Sequence, residues 1–152
     1  MSARSLPAVP SVSTRPERSN VRQDAAKASP ILAPHNSSLL DAARRDGRPA
    51  MIYFPASWSA PCRMMERKVF SRVEIVDAAR RFVVLKADTS DTQSEPMRAL
   101  REKYAVARYP TVVFLRPDGM EERSLRLVGC GGPKAFLKRL AAMESRKRRS
   151  NE

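Results

Sequence analysis

The feature that most constrains this chain is the run Ala50-Met51-Ile52-Tyr53-Phe54. It has no polar alternation, so it reads as a strand buried on both faces or as a fragment of buried helix. Its length and the prolines on either side, Pro49 and Pro55, select the strand. Such a strand needs a covering layer on each face, which points to helices packed on both sides of a sheet. The stretch Trp58-Ser59-Ala60-Pro61-Cys62 follows, and a helical pattern opens at Pro61 or Cys62. Proline is well suited to a first helical position. A buried strand that breaks into a loop and feeds a helix N-terminus makes a site for reactive or anionic groups. The unpaired N–H groups and the helix dipole favour negative charge there and lower the pKa of a thiol.

The rest of the chain repeats this alternation. Residues 1–36 are Pro/Ser-rich and without period, and are expected to be a basic tail without packed structure; Ile31-Leu32 is the one place in it for a short edge strand. Ser38 and Asp41 resemble a capping box, with Leu39, Leu40 and Ala43 as an apolar stripe ended by Gly47 and Pro49. After Cys62, Met65, Val69 and Phe70 share a face. Ser71 and Glu74 give a second capping signal, so the helix is expected to break and restart there. Phe82–Leu85 reads as a second buried strand. Met97, Leu100 and Tyr104 sit at helical spacing, and Thr111–Leu115 is a third strand. Pro117-Asp118-Gly119 is a turn. Leu125 and Leu127 alternate with polar neighbours, as in a half-exposed antiparallel strand. Gly131-Gly132-Pro133 starts a last helix with Phe136, Leu137, Leu140 and Met143 inward. The alternating part implies parallel strands and right-handed crossovers, closed by an antiparallel hairpin. The expected boundaries are a tail over 1–36, one α/β domain over 37–143 and a basic C-terminal tail over 144–152.

The formal charge of +13 is not confined to the ends. The tails hold nine of the 29 basic residues and four of the 16 acidic ones, which leaves the body at +8. An acidic partner suits that balance. Nucleic acid is disfavoured, because no zinc-finger spacing, RNA-recognition signature or basic heptad array is present. No apolar run approaches the length of a membrane span, and the N-terminus lacks the apolar segment of a secretory signal, which favours a cytoplasmic location. The two cysteines, Cys62 and Cys130, and the single His35 form no metal site or Cys–His pair, and no cofactor is expected. Partner identity and oligomeric state leave no mark on the sequence.

Trp58-Ser59-Ala60-Pro61-Cys62 resembles the W-C-x-P-C active site of the thioredoxin family with its first cysteine replaced by Ser59. Lys103 to Thr111 resembles the segment that carries the family's cis-proline, at Tyr109-Pro110, and Val128-Gly129 resembles its closing strand. The stretches Leu39–Pro49 and Met65–Ser71 are similar to the subgroup that includes the C-terminal domain of the DsbD thiol–disulfide transporter. The resemblance covers residues 37–143. It implies a thioredoxin-like three-layer α/β sandwich with a four-stranded mixed sheet. It also implies that Ser59 stands where a thiolate attacks a substrate disulfide, and Cys62 where a second thiol resolves the mixed disulfide. A serine hydroxyl forms no stable bond to sulfur and has no base near it in sequence to activate it. Two further positions depart from the family: Tyr53 matches a buried acid and Val84 matches its companion lysine. The binding positions are kept. Trp58, Ala60, Pro61, Tyr109, Pro110, Gly129 and Cys130 match the substrate groove, and Arg108 adds positive charge to it. Cys130 is expected as a buried small side chain, with a replacement partner for Cys62 as the sharper reading.

Three readings follow. The first is a thioredoxin-fold protein in redox homeostasis that binds extended peptide or protein segments at the cis-proline groove without dithiol chemistry. The second is an enzyme, a thiol–disulfide oxidoreductase using Cys62 with glutathione or with Cys130. The third is a basic adaptor for nucleic acid or an anionic membrane.

Overall fold

All five residues of the central strand, Ala50–Phe54, are buried, as a strand covered on both faces requires. The computed structural model describes residues 33–34 and 37–152; the rest of the expected tail over 1–36 lies outside the described residues. In chain order the elements are β1 (Ala33–Pro34), α1 (Ser37–Arg45), β2 (Ala50–Phe54), α2 (Ala60–Lys68), α3 (Val73–Ala79), β3 (Val83–Lys86), α4 (Glu95–Lys103), β4 (Thr111–Leu115), β5 (Leu127–Val128) and α5 (Pro133–Ser150). The sheet order is β1-β3-β2-β4-β5. The four expected strands therefore form one mixed sheet. The two residues of β1 add an edge beside β3, just after the Ile31-Leu32 position expected from sequence.

β2 runs parallel to β3 and antiparallel to β4, with Ile52 opposite Leu85 on one side and Val113 on the other. The expectation of a parallel third strand is corrected here. β3 leaves the sheet beside Tyr53, and β4 enters beside Phe54 at the same end. The connection through α4 and residues 104–110 thus begins and finishes at one end, which reverses the direction of β4. The last strand is also shorter than expected. Residues Arg123–Leu125 form a 3₁₀ turn, and only Leu127–Val128 pairs with β4. Arg126 locks that turn, with its guanidinium on both Glu121 carboxylate oxygens at 2.6 and 2.9 Å and on the Tyr104 carbonyl at 2.6 Å.

Side-chain alternation divides the core between the two sheet faces. Met51, Tyr53, Val84, Val112 and Phe114 pack with Met65, Val69, Phe70, Ile75, Phe136, Leu140 and Met143 from α2, α3, α5 and the loop after α2. Ala50, Ile52, Phe54, Val113 and Leu115 pack with Ala43 of α1 and Tyr104 after α4. This is a three-layer sandwich. The break near Ser71 falls between α2 and α3 as expected, although the residue at the α3 N-cap is Arg72 and the Ser71 hydroxyl donates back to the Arg67 carbonyl.

The expected C-terminal tail over 144–152 is corrected: α5 continues to Ser150. Lys and Arg have good helix propensity, and two ion pairs tie this end to the body. Arg81 meets Glu144 at 2.5 Å and Arg146 meets Glu122 at 2.6 Å. No helix among the described residues is long and apolar enough to cross a membrane.

Candidate functional site

β2 ends at Phe54 and the chain crosses to α2 through residues 55–59, a loop held from both sides. The Pro55 carbonyl accepts from the Thr89 N–H at 3.0 Å and from the Thr89 hydroxyl at 2.7 Å. The Ser57 N–H donates to the Ser90 hydroxyl oxygen, and the Ser57 carbonyl accepts from Arg63, each at 2.7 Å. This fixed loop presents Trp58, which is 66% exposed, and buries Ser59, which is 6% exposed. Ser59 is the N-cap of α2 in extended conformation, yet its side chain makes no capping bond, and its hydroxyl has no partner among the described residues. Ala60 and Pro61 are exposed in the first turn. Cys62 lies behind them, only 2% exposed. The Cys62 thiol is thus recessed, and the N-cap residue before it carries a hydroxyl.

The loop before β4 meets Trp58. The Tyr109–Pro110 bond is cis, as the resemblance implies. The Tyr109 ring meets Trp58 edge-on, with centroids 5.5 Å apart and planes at 90°. Its hydroxyl accepts from the Arg101 guanidinium at 3.3 Å. The Tyr109 backbone N–H and C=O make no hydrogen bond among the described residues. The Gly129 N–H donates to the Pro110 carbonyl at 2.7 Å. Gly129 reaches this position with φ +88°, a conformation that favours glycine. Val128 beside it is 51% exposed. Arg108 is exposed and forms no ion pair among the described residues. This surface therefore carries two aromatic rings, an exposed valine, a free backbone donor and acceptor, and a guanidinium without an ion pair among the described residues.

The expectation of a buried Cys130 is corrected: its thiol is exposed. Gly129 turns the chain outward, and Gly131 and Gly132 have no side chains to cover it. Cys62 and Cys130 are both free thiols. Among the described residues no cluster of His, Cys, Asp and Glu could hold a metal ion. A cleft of about 300 Å³ opens at the opposite end of the sheet, where Arg116, Pro117 and Met143 line it with Arg146. Its two arginines are already held by Asp118 and Glu122.

Beneath the loop lies a polar cluster that sequence reasoning missed. The buried Tyr53 hydroxyl donates to the Cys62 carbonyl at 3.3 Å, and its ring packs edge-on against Phe70 with centroids 4.8 Å apart. Burial, then the nearby Glu66 carboxylate and Cys62, push the Tyr53 phenol far above its ordinary range. It stays a protonated donor. A lysine does stand two residues after Val84. Lys86 is the register partner of Tyr53, and its ammonium meets Glu66 at 3.1 Å in a pair that is about three-quarters buried. Val84 belongs to the apolar core on the same face. Two periodicities carried this signal: Glu66 is four residues after Cys62 on a helix, and Lys86 is two after Val84 on a strand. Arg101, behind Tyr109, left no such mark. Its Nε–H is buried without a partner.

The comparisons agree with this fold. Residues 35–117 match the family model described as thioredoxin-like. The thiol:disulfide interchange protein DsbD of Pseudomonas fluorescens is 32% identical over 100 residues, which cover 66% of this chain and 17% of that protein. The chain therefore spans about a sixth of the length of the curated relatives it matches. Among solved structures, a thioredoxin from Thermus thermophilus aligns with TM-score 0.67 and 28% identity, over 80% of this chain and 94% of that one. The oxidised C-terminal domain of DsbD from Neisseria meningitidis aligns with TM-score 0.57 and 21% identity, over 70% and 94%.

Proposed function

This chain belongs to the thioredoxin-like family, and from that premise we propose that it binds an extended peptide or protein segment along the Trp58–Tyr109–Pro110 groove without carrying out dithiol exchange. It is a thioredoxin-fold protein related to thiol–disulfide oxidoreductases. The observation that carries the proposal is the motif itself: Ser59 precedes Cys62 at the helix N-terminus, and the Cys62 thiol is almost wholly buried. Dithiol exchange needs an accessible thiolate to open a disulfide and a second thiol to release the product. Here residue 59 carries a hydroxyl in place of a thiol, and the one sulfur of the motif, on Cys62, has no access.

The groove supports the binding half of the reading. An extended segment lying beside Tyr109 would pair its backbone with the free N–H and C=O there, as in strand addition. Trp58 and Val128 would cover its apolar side chains, and Arg101 would hold the Tyr109 ring in place. A protein or peptide partner suits these features better than a small molecule, because the surface is open and its donors lie along a backbone.

Reduction of a protein disulfide with a dithiol regenerant tests this reading. The natural protein is expected to give no turnover. Ser59→Cys places two thiols at the α2 N-terminus, where the new one should titrate below the ~8.5 of free cysteine. In air that variant is expected to lose two electrons and two protons to oxygen and form a 59–62 disulfide, seen as a 2 Da mass loss relative to its own reduced form (about 1 Da per thiol proton lost). Turnover by the natural protein that disappears in Cys62→Ala would overturn the proposal in favour of a single-cysteine oxidoreductase. Pull-down of a segment lost on Trp58→Ala would support it.

A further inference from the structure

We propose that the end of the sandwich opposite Trp58 is a separate docking surface, and that it takes an acidic peptide segment of a partner protein. This surface lies beyond the groove reading and does not depend on it.

β4 ends at Leu115, beside Ala50 at the start of β2, and the chain then turns through residues 116–120. Three adjoining clefts surround that turn. One, of about 300 Å³, lies against the end of α5, where Arg116, Arg146 and Lys147 line it with Ser150 and Asn151. A more open one, of about 600 Å³, lies against α1 and is lined by Asp41, Arg44 and Arg45. The third, of about 120 Å³, reaches Leu40, Ala50, Tyr104 and Leu115, with Lys103 also in its wall. The turn, α1, α4 and α5 thus bring six cations to one end of the molecule, while the acids lining the clefts are Asp41 and Asp118.

Two of the six cations are neutralised. Arg116 meets Asp118 at 3.2 Å and Arg146 meets Glu122 at 2.6 Å. Arg44, Arg45, Lys103 and Lys147 form no ion pair among the described residues. Arg44 packs across Gly119, where φ is +87° and a Cβ would stand 2.8 Å from the Arg44 Cδ and Nε. A side chain seated in this way has less freedom to lose on pairing. The guanidinium fork can donate two parallel bonds to one carboxylate.

The lining favours a peptide over other polyanions. Asp41 and Asp118 interrupt the positive track that a nucleic-acid backbone would follow, whereas a peptide has N–H groups to donate to them. Among the residues lining these clefts the one aromatic ring, Tyr104, is only 8% exposed, which leaves no face for a base to stack on. The smallest cleft has Leu40, Ala50 and Leu115 in its wall and suits one apolar side chain. A flat bilayer surface does not enter such a concavity. The segment that fits carries carboxylates on either side of an apolar residue.

A fluorescein-labelled blocked peptide with a leucine flanked by glutamates, and its glutamine counterpart, are titrated with the full chain by anisotropy. The Glu peptide is expected to bind roughly tenfold or more tightly, as for two or more partly exposed charge pairs. That ratio should fall towards one in about 0.5 M salt, where screening reaches about 4 Å. Arg44→Glu/Lys147→Glu should remove the preference. Lys134→Glu/Lys138→Glu makes the same change in net charge at exposed positions of α5 outside the clefts, and should weaken binding less than about threefold, because those charges are screened. Equal losses in the two variants would overturn the proposal in favour of net charge alone. Glu-peptide binding that survives Arg44→Glu/Lys147→Glu, or no binding by the Glu peptide, would also overturn it. Tighter binding of a thymidine oligonucleotide or of phosphatidylserine vesicles, lost in Arg44→Glu/Lys147→Glu, would overturn the peptide assignment. If that variant does not fold by circular dichroism, Arg44→Gln/Lys147→Gln takes its place. The groove reading stands or falls separately, on the Trp58→Ala pull-down.

Discussion

Tyr53 shows how one substitution changes the floor of a site without emptying it. A phenol replaces the acid implied by the resemblance, so the position can no longer give up a proton near neutral pH. It still donates to the Cys62 carbonyl and packs on Phe70. Tyr53→Phe is expected to lower stability by about 1 kcal/mol, the usual net worth of one hydrogen bond, as measured by urea unfolding. The Glu66–Lys86 pair beside it is a different case. Removing one partner strands a charge that is largely buried, so Lys86→Met should cost more than the Glu66→Gln/Lys86→Met double variant does. A double variant as unstable as the sum of the singles would show that the two residues act independently.

Among the elements, α5 departs most from its sequence reading. Its end is basic and polar, which resembles a frayed tail, yet it is anchored by side chains reaching from the body. Glu122 accepts from the Ser124 hydroxyl and then from Arg146, and these bonds hold its carboxyl below the usual range. A carboxylate whose native pKa is lowered stabilises the fold above its unfolded-state value, near 4.5, and loses that contribution as pH falls through the native value. Arg146→Ala is therefore expected to cost at most about 1 kcal/mol at pH 7. The difference from the natural protein should shrink below pH 4. An unchanged difference at pH 3 would place the effect in lost packing. The pairing direction of β4 belongs to this scale too. Its residues, Thr111–Leu115, are evident from their apolar run, but the run reads the same in either direction.

At the scale of the whole molecule, one sheet carries two cores, and β2, β3 and β4 contribute alternate residues to both. Phe136→Ala on one face should cost about 3–5 kcal/mol, and Val113→Ala on the other somewhat less. Both are expected to shift a single unfolding transition, seen identically by circular dichroism and by Trp58 fluorescence. Separate transitions by the two probes would mean that the faces unfold independently.

The elements and the motif were readable from sequence because their causes are local. An apolar run of five, a Pro at a helix start and a Gly after a helix end act within a few residues, and the Trp58–Cys62 motif is contiguous. Which residues meet across those elements was decided by the tertiary structure. Lys86 rather than Val84 stands opposite Tyr53 because strand register sets the pairing. Arg101 reaches Tyr109 because α4 lies behind the cis-proline loop. Cys130 faces solvent because Gly129 turns it out beside Pro110. Each of these depends on groups distant in sequence being brought within a few ångströms, where hydrogen bonds and close packing first act; periodicity along one segment can say which face a residue shares, as for Lys86, but not which partner it meets.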